Sequence, residues 1–216
     1  MLDSRYRFDD AYRETATLRD GTPVLIRLLQ PADRELLRRG FEALSADTRR
    51  LRFFGAKTQL TDAELAQLTQ LDGINHFALG AVREDPHGEV EGLGVARFVR
   101  DPANPQVAEA AVTVKDTAQG RGLGTLLLTR LAAAARERGV TRFCGEFLAV
   151  NERVWVLLEE VCPDVTPSLS GETVRVEVSI ADRDRPLSVD PAHRLLGHVA
   201  SRQLALRLRY LLLKHS

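Results

Sequence analysis

The sequence predicts one α+β domain: a mixed, mostly antiparallel central sheet flanked by helices, with an added C-terminal helix. Three observations predict it. Three β-rich segments follow one another in mid-chain: His76 to Arg83, Val90 to Arg100 and Val107 to Lys115. They are split by the turn compositions Glu84-Asp85-Pro86-His87-Gly88 and Asp101-Pro102-Ala103-Asn104-Pro105, which makes an antiparallel meander. Apolar residues at helical spacing precede the meander, and a glycine-rich loop leads from its last strand into a further helix.

Taken in order, residues 1–13 are charged and patternless and read as a loose lead-in. Thr15 to Leu29 reads as a hairpin: Thr15, Thr17 and Leu18 lead to an Asp20-Gly21 turn, and Val24-Leu25-Ile26 return. Pro31 is placed to open a helix through Leu44, with Leu36, Leu37, Phe41 and Leu44 at helical spacing. Ser45 caps a second helix that Gly55 ends, and Thr61 caps a third over Asp62 to Leu71. After the meander come a helix from Gly122 to Arg138 with Gly139 as its stop, a strand from Thr141 to Leu148, and a helix opened by Asn151 and running to Val161. Two last strands, Val165 to Leu169 and Val174 to Ile180, turn through Ser170-Gly171. The domain spans 14–181, and 182–216 form a polar linker and a C-terminal helix.

Composition narrows the function classes. The chain has 216 residues, 44% of them hydrophobic, with 30 Lys+Arg against 30 Asp+Glu, enough for a sizeable core and too balanced for a general nucleic-acid binder. Two cysteines, Cys144 and Cys162, make neither a disulfide scaffold nor a four-ligand zinc site, so no metal is expected. No apolar run nears the roughly 20 residues that span a bilayer, and the charged N-terminus lacks a signal region; a cytoplasmic location is the expectation. The zero charge is a sum. From Pro191 to Ser216 five basic residues meet no acidic one, so this stretch carries +5 and residues 1–190 carry −5. Its apolar residues Leu195, Leu196, Val199, Leu206, Tyr210 and Leu213 share one helical face. Packing on the body, a homodimer contact, a membrane surface and an acidic partner are the open alternatives for this helix.

The loop Gln119-Gly120-Arg121-Gly122-Leu123-Gly124-Thr125 has the makings of an anion site, because glycines admit close approach and helix-start N–H groups face phosphate oxygens. A P-loop would need Gly-Lys-Ser/Thr, which is absent, and a dinucleotide fingerprint would need other glycine spacing. The run resembles the Gln/Arg-x-x-Gly-x-Gly/Ala motif of the GCN5-related N-acetyltransferase (GNAT) family, and the element order is similar to that family's fold across roughly 14–181. The resemblance implies acetyl-CoA as co-substrate. Its pantetheine would run along Val112, Thr113 and Val114, its pyrophosphate would sit on Gln119, Gly120, Arg121, Gly122, Leu123, Gly124 and Thr125, and Asn151 would lie near the thioester, or serve only as an N-cap. Ile26 to Asp33, Leu44-Ser45, Leu51-Arg52-Phe53-Phe54-Gly55, Leu60-Thr61 and Leu71 to Leu79 look like the catalytic domain of bacterial protein lysine acetyltransferases. At 216 residues the sequence is too short for the regulatory or synthetase domain such relatives often carry, so none is expected in it.

Acetyl transfer to an amine needs a base, because a lysine-like ammonium holds its proton to about pH 10.4. Glu109 is the candidate: a lone carboxylate in Val107-Ala108-Glu109-Ala110-Ala111, whose burial among apolar residues would suit it to the task. The resemblance implies a glutamate at this position. Glu146 and His76 are the lesser candidates, and an acyl-cysteine route through Cys162 is the remotest. Position 158, where many family members place an acidic tyrosine, is Leu158, and Val161-Cys162-Pro163 replaces the usual Gly-Phe, which leaves the last hairpin's register open. The expected activity is acetyl transfer to protein lysines by direct attack. The alternatives are a small-amine acetyltransferase and a non-catalytic CoA-binding module.

Overall fold

The computed structural model describes residues 6–84, 87–162 and 165–181. The predicted linker and C-terminal helix lie outside the described residues. The elements are β1 (Arg13–Thr17), β2 (Pro23–Leu28), α1 (Arg34–Glu42), α2 (Ala46–Phe53), α3 (Asp62–Thr69), β3 (His76–Glu84), β4 (Val90–Arg100), β5 (Val107–Val114), α4 (Leu123–Glu137), β6 (Arg142–Leu148), α5 (Glu152–Val161), β7 (Thr166–Ser170) and β8 (Thr173–Ser179). Short 3-10 turns at Pro31–Asp33 and Asp116–Ala118 precede α1 and the glycine loop. All eight strands form one sheet in the order β1-β2-β3-β4-β5-β6-β8-β7. Every pairing is antiparallel except β5 with β6, so the predicted meander of β3, β4 and β5 stands. The last hairpin pairs Thr166 with Glu177 and Ser170 with Thr173.

The register sorts side chains onto two faces, since residues opposite one another across a ladder point the same way. One face carries Ile26, Leu79, Ala96, Phe98 and Ala108, all fully buried against Leu123, Leu127 and Leu131 of α4. Each such leucine contributes roughly 1.5–3 kcal/mol of burial. Over the other face lie the N-terminal helices: Leu36 of α1 stands against Gly92, and α3 accepts a hydrogen bond from Arg97 at the Leu68 carbonyl, 2.7 Å. Helix α5 packs a separate cluster, Phe147, Trp155, Leu158, Val174 and Val176, onto β6 and β8.

Three local expectations are corrected. Residues 6–12 are not a loose lead-in: Phe8 and Tyr12 are buried and stacked 4.5 Å apart, and the Arg138 guanidinium donates to the Phe8 carbonyl at 2.8 Å while lying over the Tyr6 ring. Helix α2 ends not at Gly55 but at Phe54, a non-glycine residue in the left-handed region with φ 57°. The helix expected from Pro31 through Leu44 starts at Pro31 as a 3-10 turn, closed by a capping box of Gln30 and Asp33, and runs on as α1 only to Glu42. Among the described residues no helix is long and apolar enough to cross a membrane.

Candidate active site

The sheet splits at one point. Strands β5 and β6 pair only through Val107–Arg142, Ala108–Phe143 and Glu109–Cys144. Beyond that, β5 continues against β4 to Val114 and β6 continues against β8 to Leu148, with no ladder between them. The separate hydrophobic clusters explain the split: α4 holds β5 to the main core, while Phe147 and Trp155 draw β6 toward α5. A cleft of about 770 Å³ fills the gap, lined on one side by Glu109 to Val114 and on the other by Gly145 to Phe147 and the α5 residues from Asn151 onward. The edge of β5 there has backbone polar groups with no strand partner, which suits an extended ligand that adds as a strand.

The glycine loop closes one end. Gly120 and Gly122 have φ of +72° and +84°, conformations that side chains rarely adopt. At Gly122 a Cβ would also come within 3.1 Å of the Arg19 Nε. The amides at the start of α4 have no intrahelical acceptor, so this end favours anions. Beside it the Glu160 carboxylate accepts from the Thr125 hydroxyl at 2.6 Å and from Arg19 Nη2 at 3.2 Å. The loop is braced from behind. Gln119 Nε2 donates to the Val114 carbonyl at 2.9 Å, and Asp116 accepts from the Ser45 amide and hydroxyl and the Thr48 hydroxyl at 2.7 to 2.9 Å. Burial pushes the Asp116 carboxyl up, but these donors win and hold it below the ordinary value.

Glu109 stands at the last rung before the strands part, with Cys144 opposite it. It is exposed rather than buried, because it points away from α4 onto the open part of the opposite face, together with Ala111 and Thr113. Glu146 lines the same cleft one strand across. The Cys144 thiol is pushed up by burial and by Glu109, which makes it a poor nucleophile. His76 does not line the cleft; burial first, then the charge of Arg97, lower its pKa and keep its ring neutral. Asn151 caps α5, accepting from the Val154 amide at 3.3 Å, and also lines the cleft. Leu158 is buried, so α5 offers no acid at that position.

Of the residues singled out from sequence, Glu109, Val112, Thr113, Val114, Gln119, Gly120, Gly122, Gly124, Thr125 and Asn151 come together around the cleft. Two side chains turn elsewhere. Leu123 is buried in the main core, and Arg121 pairs with Asp20 at 2.7 Å. Sequence reasoning missed Arg19, Thr48, Arg52, Arg153 and Glu160, which also line it. Their partners lie far away in the chain, so no spacing announced them. Arg52, inside the run Leu51 to Gly55 that carried the resemblance, was the nearest hint.

Comparison with known proteins agrees with this geometry. An acetyltransferase of Pseudomonas aeruginosa is 39% identical over 136 residues, covering 62% of this chain and 72% of that protein. Acetyltransferase Pat of Mycolicibacterium smegmatis is 35% identical over 134 residues, covering 62% of this chain but only 39% of that longer relative. The crystal structure of the GNAT domain of S. lividans PAT superposes with a TM-score of 0.69 at 28% identity, covering 77% of this chain and 96% of that one. The acetyltransferase (GNAT) family model matches residues 41–162, from the end of α1 through the cleft to the end of α5, and the chain belongs to that family of acetyl-CoA-dependent N-acetyltransferases.

Proposed function

We propose that the protein acetylates lysine side chains of other proteins by direct transfer from acetyl-CoA, with Glu109 as general base. The observation that carries this reading is the position of Glu109: the last paired residue of β5, exposed at the point where the cleft opens. A carboxylate there meets solvent on the face opposite α4, where a lysine projecting from another protein's surface can approach. Glu146 and Glu177 share that face, in register with Arg175 and Cys144.

The chemistry follows from the groups present. Acetyl-CoA supplies the thioester; its pantetheine suits the unpaired edge of β5 from Val112 to Val114, and its pyrophosphate suits the loop from Gln119 to Thr125. Glu109 takes a proton from the acceptor ammonium, directly or through one water. The nitrogen lone pair then forms the N–C bond at the acetyl carbonyl carbon, the C–S bond breaks with its electron pair on sulfur, and the nitrogen gives up its second proton. A thiol titrates near pH 8.5, so the departing thiolate needs only a solvent proton, consistent with Leu158 in place of an acid.

Incubating a proteome lysate with the protein and isotope-labelled acetyl-CoA, then mapping the label by mass spectrometry, tests the acceptor class. Label on lysine side chains of defined proteins is the expected result. Label confined to small amines would replace the acceptor, and no label above an enzyme-free control would favour a CoA-binding module without catalysis.

A further inference from the structure

The glycine-loop end of the cleft carries an ion pair that lies outside the loop motif. Arg19, in the turn between β1 and β2, donates from Nη2 to both oxygens of Glu160, the penultimate residue of α5, at 3.2 Å each. The same carboxylate accepts from the hydroxyl of Thr125, in the first turn of α4, at 2.6 Å. Three separate elements therefore meet beside the loop, and all three residues line the cleft.

Arg19 is held at the loop by its backbone as well as by its charge. Its amide donates to the Arg121 carbonyl at 3.0 Å, and its side chain runs so close to Gly122 that a Cβ there would meet Nε at 3.1 Å. The loop's own arginine is turned away: Arg121 pairs with Asp20 at 2.7 Å and does not line the cleft. Of the other arginines that line it, Arg52 donates to the Thr113 hydroxyl and Arg153 faces Asp47. Among the described residues Arg19 is thus the cation that the cleft presents at the glycine loop. Its side chain is 49% exposed, and Nε and Nη1 make no hydrogen bond among the described residues. A pair so exposed is weak, and a ligand carrying more charge than one carboxylate displaces it at small cost.

Phosphate oxygens accept from a guanidinium and a hydroxyl as a carboxylate does, and arginine matches their geometry. A phosphate on the loop therefore competes with Glu160 for Arg19 and Thr125. A pantetheine thioester without phosphates has nothing to offer these donors. We propose that Arg19 is a specificity-determining residue that binds the pyrophosphate of the acetyl donor, which displaces Glu160 from Arg19 and Thr125. Arg19 then makes the protein prefer a coenzyme A thioester to a bare pantetheine thioester. Glu160 keeps Arg19 beside the loop and opposes anions too weakly bound to overcome its charge. This rests on the pyrophosphate lying on the loop from Gln119 to Thr125, and the test separates the two.

Calorimetry on the full chain compares acetyl-CoA with S-acetyl-pantetheine, which has the same thioester arm and no phosphate. Arg19→Ala should weaken acetyl-CoA binding about tenfold and leave S-acetyl-pantetheine within about twofold of wild type. Arg19→Lys, which keeps the charge, should return part of the loss. Glu160→Gln should tighten acetyl-CoA about fivefold. The deciding variant carries both changes. Where Arg19 binds phosphate directly, Arg19→Ala still costs about tenfold or more in the Glu160→Gln background. Where Arg19 serves only to neutralise Glu160, its loss costs nothing there, and the proposal is overturned. Equal weakening of both ligands by Arg19→Ala also overturns it, since that is how a distorted cleft behaves. If the wild-type protein binds the two ligands equally, the loop does not hold the pyrophosphate, and that assignment falls together with the proposal.

Discussion

Replacing Gly122 by Ala tests how the loop is built. Gly122 caps α4 at φ +84°, and an added Cβ meets the Arg19 side chain at 3.1, 3.4 and 3.5 Å. Gly120, at φ +72°, has nothing within 4 Å of that position, so it serves as the control for backbone strain alone. A left-handed conformation costs a non-glycine residue about 1–2 kcal/mol. Gly120→Ala should therefore lose about 1 kcal/mol, and Gly122→Ala about 2, since Arg19 must also give way. Moving Arg19 loosens its pair with Glu160, whose side chains are 49% and 21% exposed, and such a pair adds at most about 1 kcal/mol. For a chain of this size 1 kcal/mol moves the midpoint by about 2–4 °C, so thermal melting should show falls of about 2–4 °C and 4–8 °C. In an Arg19→Ala background, where that pair is already gone, Gly122→Ala should cost no more than Gly120→Ala does. A Gly122→Ala midpoint no lower than that of Gly120→Ala, or an undiminished cost of Gly122→Ala in the Arg19→Ala background, would refute the packing argument.

Glu160 holds a negative charge where the cofactor's phosphates are expected, so Glu160→Gln should tighten acetyl-CoA binding about fivefold, about 1 kcal/mol, in calorimetry; weaker binding would mean that Glu160 supports the site instead. The Arg27–Asp33 pair, at 2.6 Å with side chains 15% and 9% exposed, anchors the entry to α1, and Arg27→Met should cost about 3 kcal/mol in denaturant unfolding by leaving the buried Asp33 carboxylate without its cation and with only the Gln30 amide as donor. Glu14 is held at about 2, first by its hydrogen bond from Arg130, with burial opposing and Tyr12 assisting. Its folded value lies below the ordinary 4.5, so its stabilisation is complete above pH 4.5 and is lost as pH falls toward 2. Glu14→Gln should flatten the stability curve in that window, and an unchanged acid slope would remove Glu14 from the account.

Much of this was legible because its causes are local. The capping residues Ser45 and Thr61, the turn runs around the meander, and glycines where φ turns positive are written in consecutive residues. What escaped depends on contacts across the chain. Phe8 and Tyr12 sit four apart among charges and acquire meaning only when Arg138, 130 positions from Phe8, donates to that segment. Phe54 takes the left-handed turn that Gly55 offered, a choice no propensity favours. Glu109 was legible as a strand carboxylate, yet its exposure follows from the register with Val99 and from helices that leave this end of the face open. Arg52, which lines the same cleft as Glu109, comes from α2, and only the fold brings the two together.

The central claim is that the carboxylate at the parting of β5 and β6 takes the acceptor's proton. Steady-state turnover of Glu109→Gln, with acetyl-CoA affinity measured on the same preparation, tests it most directly. The account predicts a fall in kcat of on the order of 10²–10⁴ with the dissociation constant for acetyl-CoA essentially unchanged. Turnover within about twofold of wild type would contradict it, and Glu146, on the facing strand of the same cleft, would become the residue to replace next.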